Sequence, residues 1–237
     1  MGRGGLQTFL AACMLGGAMT LASCSGDEHT DGNSAAQAEE FSELFANGFD
    51  GSRMETSQTA EISADAMLPY RVDSGIRREV ADMLADNLNR NFSLRFRMDD
   101  PERFLRSGAA ADVGNRMIEA LGLPSDTVAG ATVLMFGVGW ELANDQALTP
   151  DDQKALLSQA TLLLGDHKVS GRGDSARQRE GDVRLLSAAL WLEETRLRRN
   201  DRQAMRELSD AVNRDMQRIT DNDMRAHRIT AEGFVDR

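Results

Sequence analysis

Cysteine is scarce in this chain of 237 residues, and its position excludes several kinds of site. The two cysteines, Cys13 and Cys24, both lie near the N-terminus. The sequence after Cys24 therefore contains no thiol, which excludes a disulfide framework and a cysteine-based metal site in that part. We expect a domain held together by its hydrophobic core instead, since the chain beyond Cys24 is long enough for one domain of ordinary size.

Histidine and the common catalytic motifs are equally scarce. No histidine stands four residues from another, so the sequence has no zinc-binding helix motif, and neither a G-x-S-x-G elbow nor a glycine-rich phosphate loop occurs. Asp221 and Asp223 resemble the start of a calcium loop, but Arg225 and Ala226 occupy a ligand position and the glycine position. We predict no catalytic residue, no cofactor site and no metal site. The three histidines are spread along the chain: His29, His167 and His227.

A short uncharged stretch at the N-terminus is typical of a bacterial export signal. Arg3 precedes it, and no charged side chain occurs from Leu6 to Ala22. Glycines interrupt the stretch, and it is shorter than the roughly 20 apolar residues of a membrane-spanning helix. It ends in Leu21-Ala22-Ser23-Cys24, which resembles the lipobox of bacterial lipoproteins. The resemblance implies a signal peptide over residues 1–23 and lipidation of Cys24.

Lipidation would decide where the protein resides. Two or more acyl chains, such as palmitate, hold a protein stably on a membrane, whereas one chain binds only marginally. Ser25 is not the aspartate that retains many enteric lipoproteins at the inner membrane, so we expect an anchor in the outer membrane that faces the periplasm. The alternative is an ordinary secretory peptide that is cut after Ala22 or Ser23 and leaves a free thiol.

The segment after Cys24 differs in charge from the rest of the chain. Ten acidic residues and one base, Arg53, occur between Ser25 and Ala66, whereas the sequence from Met67 to Arg237 is close to charge balance. The acidic segment is poor in large apolar residues, as solvated tethers are. We predict a lipid-attachment cysteine and flexible acidic tether over residues 24–66 and a helical domain over 67–237, with no nucleic-acid partner.

Apolar residues recur with a helical period from Pro69 onward. The first helical stripe runs from Val72 to Leu88. Phe92 to Met98 alternates between apolar and polar residues without an evident partner strand, so we predict an extended connection there. The polar sequence between Gly165 and Asp182 predicts a long loop, and Asn200 with Gln203 approximates a capping box. Further helices are predicted over Ala109–Leu121, from Pro150 to Gly165 with Thr149 as N-cap, over Gly181–Arg199 and over Arg202–Thr220.

The most apolar segment is Val128–Trp140, which has no charged side chain and no polar face. Its thirteen residues are too few to span a bilayer, so we predict a helix at the centre of a bundle. Gly130, Gly137 and Gly139 each cost helix propensity, roughly 1 kcal/mol against alanine, and indicate close approach by neighbouring backbone. The alternative is that Gly137 and Gly139 line a ligand pocket.

Two groups of charged residues are candidates for function. Glu141 directly follows the apolar segment, with Asn144 and Asp145 one turn further on, and burial would raise its pKa. It is either a carboxylate with a chemical role or the point where the helix emerges into water. The second group is interleaved with acidic residues and indicates a solvated, salt-bridged corner, with an anionic lipid or glycan site as the alternative. It consists of Arg196, Arg198, Arg199, Arg202 and Arg206.

Three parts of the sequence resemble an uncharacterised family of bacterial exported proteins, domain of unknown function 6683. They are Tyr70 with Arg77, the run Leu121–Ala131 (LGLPSDTVAGA), and Ile229–Phe234 (ITAEGF). The resemblance covers roughly Tyr70 to Phe234 and leaves the signal peptide and tether outside. It implies an all-helical domain behind a signal peptide, and no activity.

These observations predict an all-α bundle of about five or six helices behind a flexible acidic tether. We expect a lipid-anchored periplasmic domain that acts as a non-catalytic envelope accessory or binding module, with the membrane and an envelope protein as partners. One alternative is a small hydrolase or cell-wall enzyme that uses carboxylates near Glu141. Another is a carrier of an apolar ligand.

Overall fold

The structure is a computed structural model that describes residues 64–165, 173–220 and 223–237. The predicted signal peptide (1–23), Cys24 and the tether up to residue 63 lie outside the described residues. So do His29, His167 and Asp221.

The described residues form a helical bundle, which confirms the predicted all-α class. They contain eight α-helices instead of five or six, because α2 and α3 are single short turns that the sequence period did not reveal. No helix in the described ranges is both long and apolar enough to cross a membrane. The helices are α1 (Ser74–Asp86), α2 (Leu88–Asn91), α3 (Pro101–Arg106), α4 (Ala109–Ala120), α5 (Val128–Asn144), α6 (Pro150–Gly165), α7 (Asp174–Arg198) and α8 (Arg202–Thr220).

Helix α5 lies at the centre of the bundle, as its all-apolar sequence predicts. Every residue from Val128 to Ala143 is buried, and the helix packs against α6, α7 and α8. The Thr127 hydroxyl caps its N-terminus by accepting the Gly130 amide at 3.0 Å. A Cβ at Gly139 would lie 3.1 Å from Met216 Cγ of α8, and one at Gly130 would lie 2.1 Å from the Pro124 carbonyl oxygen. The helix glycines therefore serve packing.

Helix α7 begins earlier than its sequence suggested. The polar stretch before Gly181 was predicted to be a loop, but α7 starts at Asp174. The prediction was wrong because the missed turns carry buried polar residues: Gln178 binds the backbone of Asp73, and Glu180 pairs with Arg184 of the same helix. Helical periodicity counts only apolar residues, so it could not detect them.

The start of α1 and the capping residue of α8 also differ from the sequence prediction. Val72 was placed on the first helical stripe, but it precedes α1 and is 41% exposed. Asp73 caps α1, since its carboxylate accepts the Gly75 amide at 2.7 Å. At α8 the capping side chain is Asp201 and not Asn200, because Asp201 accepts the amides of Gln203 and Ala204. At α6 the Thr149 hydroxyl accepts the Asp152 amide at 3.1 Å, as predicted for an N-cap.

The chain ends in a β-hairpin that the sequence analysis did not predict. Strand β1 (His227–Thr230) pairs antiparallel with β2 (Gly233–Asp236). Gln159 of α6 takes the place of a third strand: its side chain accepts the Phe234 amide at 2.9 Å and donates to the Phe234 carbonyl at 3.1 Å. Gly233 has a φ of 97°, and a Cβ there would lie 2.3 Å from Gln159 Oε1, so this position requires glycine.

Candidate functional site

Glu141 is buried near the C-terminal end of α5 and binds a loop. It is 5% exposed, and its carboxyl oxygen Oε1 accepts the Leu148 amide at 2.6 Å. Burial raises its pKa to about 8, against the opposing effect of that hydrogen bond. Asn144 binds the carbonyls of Trp140 and Met224 instead, and Asp145 is exposed in the left-handed conformation that ends the helix. Glu141 thus secures the loop that leads to α6.

The remaining metal-type candidates serve local structure. His227 is buried in β1, with Nδ1 3.1 Å from Asp236 on the paired strand. Asp223 caps the short turn that precedes β1 and accepts the Asn213 amide group at 3.0 Å. Within the described ranges no three potential metal ligands of the His, Cys, Asp and Glu types come together.

Tyr70 and Arg77, which carry part of the family resemblance, contact α7. The Arg77 guanidinium binds Asp182 through Nε and Nη2 at 3.1 and 2.8 Å, and Asp182 is fully buried. Burial alone would lower the pKa of Arg77, but Asp182 outweighs this and raises it. Gln178 adds hydrogen bonds to Asp182 and to the backbone of Asp73. Tyr70 lies against Gly181, where a Cβ would be 2.6 Å from its hydroxyl.

The segment Phe92–Met98, here called the extended segment, has no partner strand in the part of the chain that the structure describes. Its peptide groups bind buried charged side chains of α7 and α8 instead. Asp215 accepts the Ser93 amide at 2.7 Å, Arg198 donates to the Arg95 carbonyl at 2.5 Å, and Glu194 accepts the Arg97 and Met98 amides at 3.0 and 2.9 Å.

Alternate residues of a strand direct their peptide groups to the same edge. The bonds at Ser93, Arg95 and Arg97 follow this spacing, so three side chains from two helices replace a neighbouring strand. The extended connection is therefore confirmed. Its partners are side chains of helices, so the search of the sequence for a second strand could not find them.

The arginine cluster at the α7–α8 link is only partly the solvated corner that was predicted. Arg196 is half-exposed and pairs with Glu193. Arg198, however, is 3% exposed and pairs with the fully buried Glu194, so it belongs to the interior. The correction has a physical reason: the extended segment covers Arg198 and supplies the Arg95 carbonyl as an additional acceptor.

A groove of about 400 Å³ lies between the extended segment and α8, and we call it the arginine groove. One wall is the exposed side of the extended segment and the other is α8, with Arg198 between them. Its lining consists of Ser93, Leu94, Arg95, Phe96, Arg97, Arg198, Glu207, Ala211 and Arg214.

Four arginines and one glutamate line this groove, so its surface is basic although the chain as a whole is acidic. Arg97 pairs with Asp201 and Arg198 with Glu194. Arginine forks bind carboxylate and phosphate oxygens with two parallel hydrogen bonds. The groove is thus suited to an anionic group.

The groove contains arginines that lie outside the cluster that the sequence predicts at this corner. Arg95 belongs to the extended segment and Arg214 lies far along α8, and the fold brings them into one lining. The alternation of arginine with apolar residues at Leu94–Arg97 was the available signal.

Comparison of the chain with known protein families, with curated proteins and with solved structures finds no match to any of the three. The resemblance to domain of unknown function 6683 stays a prediction.

Proposed function

We propose that this protein is a lipid-anchored protein of the cell envelope whose helical domain is a non-catalytic binding module. Cys24 would carry the lipid, and the arginine groove would bind an anionic group of an envelope partner. The observation that carries the proposal is the groove itself, where four arginines line an open space of about 400 Å³. Sites of roughly 300 to 1,000 Å³ are usual for bound small groups.

The buried carboxylates support a binding function over a catalytic one. Glu141, Asp182, Glu194 and Asp215 each accept a hydrogen bond from a backbone or side-chain donor that fixes the fold. A carboxylate used as a general base has to reach the proton of a substrate, and these four are already bound within the interior.

The groove offers charge at the surface instead. Arg95 and Arg214 are exposed and form no ion pair within the described ranges. Exposed charge steers association and determines which partners are admitted, which suits a module that recognises an anionic surface.

In-cell photo-crosslinking tests this function. A photoreactive residue replaces Glu207, which lines the groove, in the full-length lipidated protein. We expect ultraviolet light to produce an adduct with an envelope component. The matched control carries the same photoreactive residue at Asp112, an exposed acidic position on α4, and should give no such adduct.

The double variant Arg95→Gln/Arg214→Gln makes the test specific. Both side chains are exposed, so the variant should keep the melting temperature of the wild type while it loses the adduct at position 207. An adduct that persists in this variant, or that forms equally at position 112, would contradict binding through the groove.

A further inference from the structure

Arg95 and Arg214 leave the arginine groove with an unbalanced charge. The charges of Arg97 and Arg198 are met by Asp201 and Glu194. Glu207 is the acidic residue of the lining, and it also accepts a hydrogen bond from Gln203 at 3.2 Å. Two arginines against one glutamate leave a single positive charge, which suits a ligand group with one negative charge.

The donors of the groove come from two different walls. Arg95 belongs to the extended segment, and Arg214 belongs to α8. A planar carboxylate is satisfied by one arginine fork, whereas the oxygens of a tetrahedral phosphate accept from several directions at once. Donors on facing walls therefore favour a phosphate group over a carboxylate.

The backbone adds a further donor at the same place. The amides of Ser93 and Arg97 are taken by Asp215 and Glu194, but the amide of Arg95, between them, has no acceptor among the described residues. Backbone amides in irregular segments commonly bind phosphate oxygens. Arg198, which holds the Arg95 carbonyl, fixes the orientation of this part of the segment.

We propose that the arginine groove binds a phosphodiester with a small polar substituent, as in a free glycerophosphodiester or a phospholipid head group. A phosphodiester carries one negative charge, which matches the excess in the groove. A volume of about 400 Å³ is at the lower end of the range for ligand sites and fits a head group without its acyl chains. This inference rests on the proposed function, because it names the ligand of the same groove.

The direct test is a titration of the full chain from residue 24 with Cys24→Ala, so that no lipid is attached. Nuclear magnetic resonance follows the amide signals of residues 93–97 as glycerophosphoglycerol is added, with acetate as the carboxylate probe. We expect the phosphodiester to shift these signals, most of all that of Arg95. The double variant Arg95→Gln/Arg214→Gln should weaken binding by about tenfold or more, since it removes two charge-assisted contacts.

A second double variant controls for net charge. Arg78→Gln/Arg116→Gln removes the same two charges from exposed positions outside the groove and should change the affinity by less than about twofold. Equal loss of affinity in both double variants would overturn the proposal, and so would an acetate response as strong as that of the phosphodiester. The absence of any shift with glycerophosphoglycerol would also overturn it.

Vesicles distinguish the two sources of the phosphodiester. Flotation with vesicles of phosphatidylglycerol and phosphatidylcholine, competed by free glycerophosphoglycerol, assigns the site to lipid head groups if Arg95→Gln/Arg214→Gln abolishes flotation. Titration of the free diester without flotation assigns it to a soluble ligand. An in-cell adduct at position 207 combined with no phosphodiester binding would retain the binding module and reject this ligand class.

Discussion

Glu141 and Asp215 show how single buried carboxyls are tolerated in this interior. Each accepts a backbone amide, from Leu148 and from Ser93 respectively. For each, burial is the main effect on the pKa and raises it, to about 8 for Glu141. The hydrogen bond favours the charged form but does not outweigh burial. Both residues therefore bind loops or extended chain at a cost that depends on pH.

The stability of the protein should depend on pH through Glu141. Its folded pKa of about 8 lies above the ordinary value of 4.5, so its contribution is fully present below pH 4.5. That contribution is lost as the pH rises from 4.5 to about 8, by up to about 1.4 kcal/mol per pH unit. Glu141→Gln should remove this dependence and melt above the wild type near pH 9.

Thermal melting between pH 5 and 9 measures the effect, with the exposed Glu119→Gln as the matched control. Parallel curves for wild type and Glu141→Gln would show that Glu141 ionises freely. Because Glu141 lies outside the arginine groove, we expect Glu141→Gln to keep the crosslink at position 207. If Glu141→Gln instead lost the protein's function in the cell while its melting temperature stayed unchanged, the hydrolase alternative would be favoured.

Gly130 is the glycine of α5 with the least room for a side chain. A Cβ there would lie 2.1 Å from the carbonyl oxygen of Pro124, which is backbone and cannot rotate away. Gly130→Ala should lower the free energy of unfolding by about 1–3 kcal/mol or more, although alanine is favoured in helices by about 1 kcal/mol. Gly165→Ala, at the end of α6 with no atom within 4 Å, is the control and should be neutral or stabilising. Chemical denaturation measures both, and a stabilised Gly130→Ala would contradict the described packing of the Pro124 turn.

At the scale of elements, the extended segment depends on charged side chains of two helices. Glu194 accepts two of its amides and pairs with Arg198, and both charged side chains are buried. Glu194→Ala would leave the Arg198 charge unpaired in the interior, so we expect a loss of about 3–5 kcal/mol. Glu193, the residue before Glu194, forms a half-exposed pair with Arg196. Glu193→Ala removes this pair and should cost less than about 1 kcal/mol.

Denaturation of the two alanine variants makes the comparison direct, because the two glutamates are neighbours on one helix. Similar losses for Glu193→Ala and Glu194→Ala would mean that the extended segment is held mainly by its apolar contacts. Phe92 supplies such contacts, with its ring 6.5 Å from that of Trp191.

The elements that the sequence predicted well are those whose signals are local. Helices α5, α6 and α8 follow from apolar periodicity or from N-cap and proline signals within a few residues. The start of α7 was missed because its buried polar residue Gln178 binds the backbone of Asp73, which is 105 positions away. The hairpin was missed because Gln159 of α6 supplies the bonds of its absent third strand.

The same limit applies to the arginine groove. The sequence shows Arg95 and Arg97 alternating with apolar residues, which predicts one exposed face of an extended segment. It does not show that Arg214 lies opposite, since that depends on how α8 packs. Local patterns identify which side chains are exposed, and the tertiary contacts decide which of them converge.

At the scale of the whole molecule, two central helices have opposite chemistry. Helix α5 is buried and almost entirely apolar, whereas α7 buries Asp182, Arg184, Glu194 and several other polar residues. The polar residues of α7 bind α1 and the extended segment by directed hydrogen bonds. We infer that α5 supplies bulk burial, while α7 fixes where the outer elements dock.

The proposed placement of the molecule in the envelope depends on Cys24. Cys24→Ala should abolish incorporation of labelled fatty acid and move the protein from the membrane fraction to the soluble periplasmic fraction, because the proposed anchor would supply the stable membrane affinity. Fractionation and acyl labelling measure this, with Cys13→Ala as the matched cysteine control. Unchanged membrane association of Cys24→Ala would contradict the proposed anchor.

Side-chain partners in place of a strand have a consequence for how the extended segment exchanges its amide protons with solvent. The protons of Ser93 and Arg97 are bound by side-chain carboxylates of α8 and α7, so their exchange requires the segment to detach from those helices and should be slow. The proton of Arg95, two residues from each, has no such acceptor among the described residues and should exchange rapidly. A segment without a sheet would thus be protected at its two ends, and an occupied arginine groove would slow exchange at Arg95.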